Sequence, residues 1–190
     1  LTPLVVRPLP NDEYEVISGH RRLHACKKAG IEMIPAFIYS MDRSEAVVAM
    51  VDSNLHREKL LPSEKAFAYK MKMDAMKHQG KALGQVGHKS RDAISETESG
   101  RQIQRYIRLT NLIDPLLEMI DKNEMAMSAG VELSYLGSRD QAKVYKIVER
   151  EATAPSIAQA AKLRKTAEEG SLDDAMLEYI LTSTKQESIK

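Results

Sequence analysis

Three groups of residues carry types and spacings that could do chemistry. The first is Gly19-His20-Arg21-Arg22. A glycine where a strand turns into a helix lets an anion approach the N–H groups that open the helix. Two adjacent guanidinium groups add charge and bidentate donors, and phosphate is the obvious anion. On residue types alone, a strand–helix corner with solvated arginines is the competing reading. The second group is Ser53-Asn54-Leu55-His56-Arg57-Glu58. Its Asn, Arg and Glu could read a base, pair with a phosphate and place a water, or form a solvated helix end. The third is Arg101, Arg105 and Arg108, spaced i, i+4 and i+7, so that they share one helix face.

The surrounding pattern supplies elements to hold these groups. Leu4 to Arg7 reads as a strand closed by Pro8 and Pro10, and Asn11-Asp12 as a turn into a second strand containing Tyr14, Val16 and Ile17. A helix follows Gly19, with Leu23, Cys26 and Lys27 three or four apart and Gly30 as its stop. Residues 31–39 read as a third strand, with Pro35 at its start or an edge. Asp42 and Glu45 have capping-box spacing and open a helix to about Asp52. Pro62-Ser63 opens another to about Lys77, whose lysines at 65, 70, 72 and 77 are expected to face water or DNA. Residues 78–89 read as a loop. A short helix over 90–97, a turn at Glu98-Ser99-Gly100 and a helix to about Asn111 follow the grammar of a helix-turn-helix. Ser99 and Gln102 are the expected cap, and the competing reading is an exposed basic helix. The remainder reads as helices opened by Asp114-Pro115, by Ser138 with Gln141, by Ser156 with Gln159, and by Ser171-Leu172-Asp173.

The composition bounds the class. The 190 residues are 43% hydrophobic and 29% charged, with one cysteine and a net charge of +1. No run is long enough to span a bilayer, and one cysteine allows no internal disulfide, which fits a reducing cytoplasm. The charge is uneven. Residues 62–110 carry ten basic and five acidic side chains, the footprint of contact with a polyanion. The chain opens directly on a strand, so it is expected to be a fragment of something longer.

Gly19-His20-Arg21-Arg22-Leu23-His24-Ala25 resembles the G-E-R-R-x-x-A phosphate motif of ParB proteins, the partition proteins of bacterial chromosomes and plasmids. Ser53-Asn54-Leu55-His56-Arg57 resembles their second motif, E-N-x-Q-R. Residues 1–7 resemble the end of their first motif, and the helix-turn-helix follows at the family's place. The fold class the resemblance implies is α+β. A small ParB/sulfiredoxin-like α/β domain over residues 1–61, truncated at its N-terminus, precedes an all-α DNA-binding domain over 62–190 with the helix-turn-helix at about 90–110.

The function the resemblance implies is a homodimeric DNA clamp. It binds a palindromic site in double-stranded DNA and is switched by CTP with Mg2+ in the N-terminal domain. A ParA-type ATPase is the implied partner, and the bacterial nucleoid in the cytoplasm the implied location, with no membrane. The nucleotide site implied is Thr2, Gly19, His20, Arg21, Arg22, Ser53, Asn54 and Arg57, with Asn54 the candidate near the metal. The DNA-facing residues are Lys89, Ser99, Arg101, Gln102, Gln104, Arg105 and Arg108. The sequence departs from the motifs at Thr2, where the family has glutamine, at His20 and Ser53, where it has glutamate, and at His56, where it has glutamine. Since the family ties such positions to hydrolysis, slow CTP turnover is expected, with Glu58 the remaining catalytic candidate. A ParB-like nuclease and a plain helix-turn-helix regulator without nucleotide are the alternatives.

Overall fold

The computed structural model describes residues 2–55, 60–78 and 98–183. The helix read over 90–97, and Lys89, His56, Arg57 and Glu58, lie outside the described residues. Two compact units are present. Residues 2–55, 60 and 68–78 belong to one, and residues 61–67 and 98–183 to the other.

The first unit is built on a three-stranded sheet in the order β2-β1-β3. Strand β1 (Leu4–Pro8) alternates, with Leu4 and Val6 buried. A single 3₁₀ turn over Pro10–Asp12 leads into β2 (Tyr14–Ser18), and Asn11 and Asp12 take positive φ there, as short polar side chains tolerate. The two strands form the expected antiparallel hairpin, with Arg7 opposite Glu15 and its Nε 2.5 Å from the Glu15 carboxylate. Helix α1 (His20–Lys28) follows, and Gly30 takes φ +69° beyond its end. The third strand is shorter than the apolar run suggests. Strand β3 covers only Ala36–Ile38, parallel to β1. Pro35 has no N–H for the ladder, but its carbonyl accepts from Leu4 N at 2.9 Å, so pairing begins there. Helix α2 (Arg43–Leu55) opens on the predicted capping box: Glu45 N donates to Asp42 Oδ1 at 2.8 Å, and Asp42 N to Glu45 Oε2 at 2.9 Å.

Helix α3 (Pro62–His78) contains the division between the units. In the second unit its Ser63 donates to Asp121 through both N and Oγ, at 2.9 and 2.5 Å. The helices that follow are α4 (Gly100–Leu109), α5 (Asp114–Asp121), α6 (Met127–Leu133), α7 (Ser138–Glu151), α8 (Ile157–Glu168) and α9 (Asp174–Thr182). One apolar core joins them, with Leu109, Leu116, Leu133, Val144, Leu163 and Leu177 almost fully buried. The capping box at Ser156 and Gln159 forms as expected.

Two caps depart from expectation by one residue. The N-cap of α5 is Ile113, so Asp114 is the first helical residue and Pro115 the second. The N-cap of α7 is Gly137, which moves Gln141 one place beyond the position where a box glutamine sits. Gln141 is buried instead. Its Oε1 accepts from Ile113 N at 2.9 Å, and its Nε2 donates to the carbonyls of Asn111 and Leu136 at 3.0 and 2.9 Å. One amide thus satisfies three backbone groups of two connecting loops. Buried backbone groups left without partners cost about 1–3 kcal/mol each. Gln141→Ala is expected to destabilise the chain by about 2–4 kcal/mol, measured by urea unfolding followed by circular dichroism. A loss within the range of an exposed alanine substitution would contradict this role.

Candidate functional site

The strand–helix corner is set by Gly19, the N-cap of α1, at φ +103° and ψ +17°. A Cβ there would lie 2.6 Å from Leu4 Cδ2, so both the torsion and the space demand glycine. In the first turn of α1, the N–H groups of His20, Arg21 and Arg22 have no partner four residues back in the helix and point towards its N-terminal end. Arg22 folds back across Gly19. Its Nη1 donates to the Pro3 carbonyl at 2.6 Å and to the Thr2 carbonyl. One nitrogen of Arg22 is therefore engaged in closing the corner, and the guanidinium has further donors in its fork. Arg21 and His20 are exposed beside it.

The last turns of α2 complete the site. Ser53 and Asn54, more than thirty residues downstream of Gly19, line the same cleft of about 230 Å³ with Ile17, Ser18, Gly19, His20, Arg21 and Arg22. Thus the structure brings together six of the eight residues expected to hold a nucleotide. Thr2 meets the group through its carbonyl on Arg22, and Arg57 lies outside the described residues. Among the described residues no carboxylate lines the cleft, so its electrostatics favour an anion.

One positioning contact was not read from the sequence. Lys72 of α3 is buried rather than facing water, and its Nζ lies 2.5 Å from Asp52 Oδ1, immediately before Ser53 and Asn54. A lysine on an alternating charged helix carries no sequence signal that it turns inward.

In the second unit, Ser99 caps α4 and accepts from Gln102 N at 3.3 Å. The Gln102 side chain does not return to the cap. It accepts from Arg105 Nη1 at 3.3 Å and lies 3.8 Å from Met127 Sδ. The arginine stripe is divided. Arg101 is exposed, whereas Arg105 and Arg108 are half-buried and bonded to α6 and its end. Arg105 Nη2 donates to Ser128 Oγ at 2.6 Å, and Arg108 donates to Ser134 through Nε to Oγ at 3.1 Å and through Nη2 to the carbonyl at 3.0 Å. Gln104 is half-buried on the same side of the helix as Arg101.

In the first unit a strand–glycine–helix corner with paired arginines shares a cleft with an asparagine on a second helix, and in the second unit a capped helix carries the arginines of the stripe. The ParB N-terminal domain family matches residues 1–55, and over that stretch the chain is a ParB-type N-terminal domain. A nucleoid occlusion protein of Listeria monocytogenes is 32% identical over 127 residues, 67% of this chain and 45% of that protein. A probable chromosome-partitioning protein ParB of Vibrio cholerae is 26% identical over 144 residues, 76% of this chain and 46% of that protein. The chain thus spans less than half the length of these curated relatives. The fold is similar to that of the C-terminally truncated ParB of Caulobacter crescentus solved with the centromeric parS site. That likeness has a TM-score of 0.56 and 22% identity, and covers 87% of this chain and 83% of that one. Among the described residues no helix is long and apolar enough to cross a membrane.

Gly19 and Gly30, both left-handed, make a controlled comparison within the first unit. Gly30, at φ +69°, has nothing within 4 Å of a built Cβ, so an alanine there meets only torsional strain of about 1–2 kcal/mol. Gly19→Ala adds overlap with Leu4 and is expected to cost about 1–3 kcal/mol more than Gly30→Ala, read from thermal unfolding of the two variants. Equal losses would show that the corner relaxes without cost.

Proposed function

We propose that this chain is the nucleotide-switched, DNA-binding part of a partition-type protein. The observation that carries the reading is the cleft in which Gly19, Arg21 and Arg22 from one motif meet Ser53 and Asn54 from the other. Residues 1–61 act as the nucleotide domain and 62–190 as the DNA-binding domain. CTP is the ligand the family points to. The open first turn of α1 and the exposed Arg21 suit its phosphates, and Asn54 is the side chain best placed beside a phosphate-bound Mg2+. Bound CTP acts as a switch that closes a homodimeric clamp on DNA. Turnover is slow, because a carboxylate or amide that orients water is replaced by Ser53 and by Thr2. Helix α4 enters the major groove of a palindromic site, with Gln104 and Arg105 as its reading residues and Arg101 on phosphate. Arg105 exchanges its bond to Ser128 for a base edge. A ParA-type ATPase acts on the assembled complex, in the nucleoid of a bacterial cytoplasm.

Titration with CTP, ATP, GTP and UTP tests the switch, with magnesium and with and without duplex DNA. CTP is expected to bind tightest, and Arg21→Ala to abolish binding. Equal binding of all four would mean that only phosphates are read, and no binding by the full-length protein would remove the nucleotide from the account.

The DNA reading has its own test. With a site selected from a random library, Arg105→Ala is expected to lose about 1–3 kcal/mol of discrimination between that site and mixed-sequence DNA. Equal losses on both would take Arg105 out of base reading.

A further inference from the structure

We infer that Tyr135 is a positioning residue for helix α4, and that Arg108 is a staple to it rather than a contact to DNA phosphate. The inference rests on α4 being the helix that meets DNA. The Arg108 Cζ lies 3.7 Å from the centroid of the Tyr135 ring, and the Arg164 Cζ lies 3.6 Å from the same centroid. Two guanidinium carbons so near one centroid would overlap on a single face, so the ring is held between them. Each cation meets the negative face of the ring quadrupole, an interaction that strengthens as water is excluded. The three side chains come from α4, from the second residue past the end of α6, and from α8.

The hydrogen bonds fix this stack. Arg108 holds both the hydroxyl and the carbonyl of Ser134, which is buried, and the Ser134 hydroxyl in turn donates to the Val131 carbonyl at 2.6 Å. To reach a phosphate, Arg108 would leave the ring and strip two partners from a buried residue. Arg164 is neutralised on its own side, at 2.7 Å from Glu168 and 3.3 Å from Glu132. Those carboxylates offset the repulsion between two guanidinium groups facing across one ring. Arg101, by contrast, is exposed on the same face of α4, two turns nearer its start. The stripe therefore splits by role: Arg101 faces outward to phosphate, and Arg108 sets the angle at which the helix is presented.

Affinity for mixed-sequence duplex DNA, measured over a series of salt concentrations, separates the two roles, because each lost phosphate contact flattens the salt dependence by about one unit of slope. Arg101→Ala is expected to flatten it so. Arg108→Met and Tyr135→Leu are expected to weaken binding severalfold with the slope unchanged, and Tyr135→Phe, which keeps the ring, to restore wild-type affinity. In thermal unfolding, Arg108→Met combined with Tyr135→Leu is expected to lower Tm little more than the worse single change, since both break one stack. A flattened slope for Arg108→Met would overturn the inference, as would wild-type affinity for Tyr135→Leu or additive Tm losses. Failure of the unaltered chain to bind any duplex would sink the DNA reading itself, and the Tm coupling would then decide the stack alone.

Discussion

The bond from Arg22 back to the carbonyls of Thr2 and Pro3 is the constraint on which the first unit turns. Gly19 lets the chain reverse from β2 into α1 at a torsion other residues resist, and Arg22 reaches over that turn to the start of β1. The hairpin, the helix and the opening of the cleft are thereby fixed to one another. A charged donor on two backbone carbonyls is stronger than a neutral pair. The same side chain that makes the corner electropositive also makes it rigid. An anion arriving there meets N–H groups already oriented, and pre-orientation lowers the entropy lost on binding.

The second unit achieves the same end with neutral amides. Its apolar core explains that the helices collapse, but burial is non-directional and does not choose among arrangements. The choice is made by side chains that bond to backbone: Gln141 to three groups of two loops, and Gln159 Nε2 to the carbonyls of Ile180 and Leu181 at 3.0 Å, joining α8 to the end of α9. Ser63 and Asp121 fix the start of α3 against α5. Each bond sits where a helix ends or a loop begins, which is where backbone groups lack helical partners. Gly130 lets α6 and α5 approach, since a Cβ there would lie 2.3 Å from Ile120 Cδ1.

What the sequence made legible was what is local. The hairpin, the glycine corner and the boxes at Asp42 and Ser156 each depend on residues within a few positions, and the spacing of side chains carries that information. The two motifs that meet in the cleft were legible through resemblance, though nothing in their spacing says that they touch. What escaped was every polar group that turns inward to a distant partner. Gln141 had the spacing of a cap and became a core amide. Lys72 looked like one of several solvent-facing lysines and is held on Asp52. Arg105 and Arg108 formed a clean stripe by helical periodicity, yet both are bonded to α6 and its end. Periodicity assigns a side chain to a face, and whether that face meets water or another helix is decided by tertiary packing.

The cleft is chemically lopsided, and that bears on what it can do. Binding a polyphosphate needs positive potential and oriented donors, and the corner supplies both through α1, Arg21 and Arg22. Cleaving one also needs a group that orients water in line with the terminal phosphorus and accepts its proton. Among the described residues lining the cleft, the polar side chains other than the arginines are those of Ser18, His20, Ser53 and Asn54. Serine and asparagine can orient water but are poor bases near neutral pH. His20 is exposed in the first turn of α1, beside Arg21 and Arg22. In the clamp we propose, the residence of the nucleotide would set the lifetime of the closed state, and slow chemistry suits that role.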